Sequence, residues 1–76
     1  MVLIYSVYEA IMYYYAEDKK SGKPVDFNFN PTSETAKAVF HSKEDLFYFM
    51  DVASREKFGA DKIDSEREKF EVKETA

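Results

Sequence analysis

The sequence predicts an α+β fold, a small antiparallel sheet of three to four strands covered by one main helix at residues 43–58. Three observations carry this reading. VDFNFN, residues 25–30, alternates apolar and polar side chains with the two-residue period of a half-buried strand. Ser42 to Gly59 begins and ends like a helix and carries an apolar stripe at helical spacing. KFEVKE, residues 69–74, alternates again through Phe70 and Val72 and is rich in Lys and Glu, as exposed edge strands tend to be.

Residues 2–16 are rich in Val, Ile and Tyr, which favours a strand that bends near Glu9 and Ala10. The alternative is a helix over residues 3–19, with Ile4, Val7, Tyr8, Ile11, Tyr14 and Tyr15 on one face. DKKSGK, residues 18–23, reads as the connecting loop, and Pro31 stops the strand that follows it. In TAKAVF, residues 35–40, Ala36, Ala38 and Phe40 would share one face of a further strand. Ser42 is placed to cap the helix, Glu44 and Asp45 lie near its positive end, and Arg55 and Lys57 near its negative end. Leu46, Met50 and Ala53 form its inner stripe, joined by Phe47 or Phe49. Residues 60–68 read as a charged turn, although Ser65 and Glu68 have capping-box spacing.

Seventy-six residues make one domain, 1–76, with a thin core. Six tyrosines and seven phenylalanines supply most of its apolar surface. The opening MVLIYSVYEAIMYYYAEDKK lacks a basic start and a cleavage pattern, and its apolar run is shorter than the roughly 20 residues of a membrane span. A cytoplasmic protein without a membrane partner is expected. Net charge is −4; residues 1–40 carry five acids and four bases, residues 41–76 ten acids and seven bases. That distribution lacks the basic stripe of a duplex-binding protein, so nucleic acid is disfavoured as a partner.

Catalytic chemistry finds little material. With no cysteine and one histidine, a zinc site has no ligand set, and His41 reads as a surface residue before the helix. The two glycines are too far apart for a phosphate loop, and no nucleophile elbow is present. Asp61, Asp64 and Glu66 lack the glycine and distal glutamate of a calcium loop. No catalytic residue, cofactor or metal is predicted.

The tyrosines point to binding instead. In a strand, Tyr13 and Tyr15 project to one side and Tyr14 to the other; in a helix the three fan too widely for one stripe. LFYFM, residues 46–50, poses the same problem, and Tyr48 is its outward member, with Val52 four residues later. Tyr13, Tyr14, Tyr15, Tyr48 and Val52 are therefore the expected contact surface for another protein or for a second copy of the chain. In size and composition the chain is similar to phage-encoded anti-defence proteins, a likeness of class that no motif carries. An inhibitor or adaptor of a larger complex is the expected function. Single-strand stacking beside Lys19, Lys20 and Lys23, DNA mimicry by the acidic half, and a structural homo-oligomer are its rivals.

Overall fold

The computed structural model describes residues 12–75. Its elements are β1 (Tyr13–Asp18), α1 (Lys43–Phe58), a 3₁₀ turn (Ala60–Lys62), α2 (Ile63–Arg67) and β2 (Phe70–Thr75). The fold is α+β, with a two-stranded antiparallel sheet in which Tyr13 lies opposite Thr75, Tyr15 opposite Lys73 and Asp18 opposite Phe70. Of the N-terminal stretch, Tyr13–Asp18 is strand and not helix; the rest of residues 2–11 lies outside the described residues. Among the described residues, no helix is long and apolar enough to cross a membrane.

Among the described residues, two strands stand where three to four were expected, and the segments between β1 and α1 do not form the strands expected of them. VDFNFN is not a strand: only Val25 takes a ladder-like place, its N–H donating to the Ala16 carbonyl at 3.2 Å. The Asp26 carboxylate then accepts the N–H groups of Asn28 at 2.9 Å and Asn30 at 3.1 Å, curling the chain into a turn. Phe29 sits at φ 60, in the left-handed region that asparagine-rich turns reach and strands do not. TAKAVF is likewise irregular, although its alternation survives in part: Ala38 and Phe40 are buried while Val39 is exposed. Phe40 exchanges two 2.8 Å backbone bonds with Tyr14. A broken row of single bridges (Glu17 with Pro24, Tyr14 with Phe40) thus lines the edge of β1 where a third strand was expected.

Helix α1 matches its sequence signals. Ser42, extended at φ −146, accepts the Asp45 N–H on its hydroxyl at 3.1 Å. Gly59, at φ 96, ends the helix by donating its N–H to the Arg55 carbonyl at 3.0 Å. Leu46, Met50 and Ser54 are buried, and Ala53 is half-buried beside them. Ser42→Ala should lower stability by about 1 kcal/mol in denaturant unfolding, because the Asp45 N–H loses its acceptor. Ser42→Asp should recover most of that.

A single helix was expected, and α2 is the second. Ser65 lies inside it, donating to the Lys62 carbonyl at 3.0 Å, and does not act as its cap. Side chains hold it in place. Arg67 reaches Asp51 of α1 through two bonds of 2.8 and 2.6 Å, and Glu66, nearly buried, pairs with Lys69 at 2.6 Å. The core itself is Ala16, Val25, Ala38, Phe40, Leu46 and Met50, with Tyr14, Phe29, Phe47, Phe70 and Val72 packed around it.

Candidate functional site

The three tyrosines of β1 divide as strand geometry requires. Tyr14 joins Ala16 on the face toward α1, packs against the core and lies under the Lys43 ammonium, 5.8 Å from its ring centre. Tyr13 and Tyr15 point to the other face. There the His41 ring meets Tyr13 at 5.3 Å, and the Lys37 ammonium stands 4.2 Å above Tyr15. Lys37 is held by Glu34 at 2.8 Å, a hydrogen bond that raises its pKa. All three tyrosines are half-buried.

Tyr48 faces away from the sheet and is 65% exposed. On a helix of 3.6 residues per turn it falls nearly opposite the Leu46–Met50 stripe, and Val52 follows it on the same ridge. Helix and sheet therefore stand between Tyr48 and the Tyr13–Tyr15 pair. The structure brings together Tyr48 and Val52 of the five expected contact residues; Tyr13 and Tyr15 belong to a separate face, and Tyr14 to the core.

Two other rings complete the surface around Tyr48. Phe49, 47% exposed, meets Tyr48 edge-on at 5.6 Å, and Phe27, 65% exposed, approaches from the 26–30 turn. Both rest on Phe40, at 5.5 Å and 5.7 Å. One buried ring thus supports an exposed aromatic cluster drawn from a helix and a loop. The loop is braced from below by Asp26 and from the side by Lys57, whose ammonium donates to the Asn28 carbonyl at 2.6 Å. Sequence reasoning missed Phe27, because alternation placed it on the inner side of a strand with Val25 and Phe29. The available signal was Asp26 followed by Asn28 and Asn30, an Asx-turn composition.

Charge around the cluster is mostly negative. Glu44 and Asp45 precede Tyr48 by one turn, and Glu56 lies one turn beyond Val52; all three are exposed. Asp51 is held by Arg67, and the same contact raises the Arg67 pKa.

No family model, characterised protein or solved structure matches this chain. The surface has only its own geometry to speak for it.

A concavity of about 190 Å³ lies at the other end of α1, between Phe29, Phe58 and Phe70. Its polar groups satisfy one another: Lys69 pairs with Glu66, and Lys57 with the Asn28 carbonyl. At its rim, hydrogen bonds from the Ser21 hydroxyl and N–H lower the Asp18 pKa, the N–H at 2.9 Å. Among the described residues, no group of three His, Cys, Asp or Glu side chains is arranged to hold a metal ion.

Proposed function

We propose that this chain is a non-enzymatic protein-binding domain, an inhibitor or adaptor of a larger protein assembly, that docks through Phe27, Tyr48, Phe49 and Val52. The single observation that supports the reading is the exposed cluster itself. Three large rings stand in contact with one another or with one buried ring, on a chain too short to waste apolar surface. An aromatic residue has about 150–250 Å² to bury, and half to two thirds of it is still open on each of these rings. Preorganised aromatic residues at the centre of a contact are the usual hot spots.

The partner that fits is a protein with an apolar groove and a basic rim. Tyr48 and Val52, one turn apart, give the spacing with which a helix seats in such a groove, while Phe27 adds an anchor to one side. Glu44, Asp45 and Glu56 meet the rim and speed encounter. The same acids repel a nucleic-acid backbone, so this reading is preferred to strand stacking. The likeness to phage anti-defence proteins in size and composition, and a cytoplasmic setting, belong to the same proposal.

The test starts from partners captured from a cell lysate by the wild-type chain. A purified candidate is then titrated against the wild type and against Tyr48→Ser combined with Phe27→Ser. A loss of at least about 30-fold in affinity is expected for the double variant, corresponding to one hot spot of about 2 kcal/mol. Tyr13→Ser, on the other face, should bind like the wild type. A partner retained equally by all three proteins would sink the proposal.

A further inference from the structure

We infer that the outer edge of β2, which no described strand pairs with, is built to pair with β2 of a second copy, in one register centred on Val72. Backbone direction along the sheet is fixed from both sides. Tyr14 bonds Phe40, Ala16 accepts from Val25, and Asp18 donates to Lys23, so these residues aim their polar groups away from β2. Lys19 donates to the Lys69 carbonyl at 3.0 Å, so Lys69 aims at β1. By alternation Glu71, Lys73 and Thr75 also face β1, and the N–H and C=O groups of Phe70, Val72 and Glu74 point outward. β2 is at the edge of the sheet, and no strand among the described residues pairs with that side of it.

Side chains select both the occupant and the register. In an antiparallel pair, outward residues must meet outward residues, so only three centred registers keep most of the strand in contact. Centring on Lys73 sets lysine against lysine, and centring on Glu71 sets glutamate against glutamate. Centring on Val72 sets Glu71 of each copy opposite Lys73 of the other, twice. It also lets Val72 exchange two backbone bonds with its own copy, while Phe70 exchanges two with Glu74 on either side. The edge is thus complementary in charge to itself, and the product is a continuous four-stranded sheet with both α1 helices on one face. Within one chain Glu71 lies directly opposite Glu17, an unfavourable like-charge pair. Its ion pair with Lys73, two residues along the strand, is long at 3.5 Å and leaves both side chains open to solvent.

The inference does not depend on the aromatic surface, which lies elsewhere, and its test is separate. Sedimentation of the wild-type chain across a concentration series should show a reversible species of twice the 8.9 kDa chain mass. Glu71→Lys and Lys73→Glu should each weaken that species at least tenfold. Mixed in equal amounts, the two variants should recover it as a heterodimer, because both cross-pairs become opposite in sign. Glu71→Lys now faces Glu17 favourably, so its melting temperature should not fall, which separates lost pairing from lost folding. A wild type that stays monomeric overturns the proposal, as do single variants that associate like the wild type or a mixture that gains nothing. A monomer whose Val72 and Glu74 amides are protected from exchange at every concentration overturns it too, since another segment of the same chain then holds the edge.

Discussion

Leu46→Ala is expected to lower the melting temperature by about 15–40 °C. Leu46 is fully buried and lies on the stripe of α1 that meets the sheet, beside Met50. A buried Leu→Ala change costs about 2–5 kcal/mol, and the upper half of that range applies where neighbours cannot collapse into the space. Here two of the core neighbours are Ala16 and Ala38, whose single methyl groups cannot rotate into the cavity. A domain of this length stands only about 4–11 kcal/mol above its unfolded state, and each kcal/mol moves the midpoint by about 4–8 °C. Thermal denaturation followed by circular dichroism measures the effect. Leu46→Met, which conserves volume, should lose less than about 1.5 kcal/mol. If alanine costs no more than methionine, Leu46 is not the centre of the core.

Phe40→Ala is expected to cost about 3–5 kcal/mol and to loosen a surface its ring does not itself present. The ring contacts Phe27, Phe29 and Phe49 at centroid distances of 5.7, 6.4 and 5.5 Å. The backbone of Phe40 is held separately by its paired bonds to Tyr14, so alanine removes the ring's support while the bridge remains. Denaturant unfolding reports the stability loss. Amide exchange in residues 26–30 reports the second effect: these amides should exchange faster in Phe40→Ala than in Phe40→Leu at matched global stability. Equal exchange in the two variants would show that the Lys57 and Asp26 contacts alone hold Phe27 in place.

Helix α1 was legible in the sequence because its signals are local. Ser42, the first-turn acids and Gly59 act within one turn of where they stand, and Leu46 and Met50 need only a period. β2 was legible for a similar reason, since Phe70 and Val72 alternate among charges. VDFNFN carries an equally clean alternation and still failed as a strand. A strand needs a partner for each backbone group, whereas Asp26 supplies two acceptor bonds from within its own loop, and that local offer prevailed. Helix α2 was illegible because Ile63 is its only apolar residue, and an ion pair reaching back to Asp51 positions it. The site followed the same division. Five consecutive bulky residues cannot all face inward on a helix, which exposed Tyr48 and Val52 to inference. That Tyr13 and Tyr48 look in opposite directions is a fact about how sheet and helix stack, and no residue count contains it.

The pairing of Tyr13 with Thr75 sets the order in which the molecule assembles. The sheet forms between the first and the last described elements, so even its innermost rung, Asp18 with Phe70, closes a loop of about 50 residues, and that entropy is met before any reward. Helix α1, with its own caps, has no such wait. Until the two strands find one another its apolar stripe has only Val25, Ala38 and Phe40 of the preceding segment to lie against, and the half-made molecule keeps part of a sticky side uncovered.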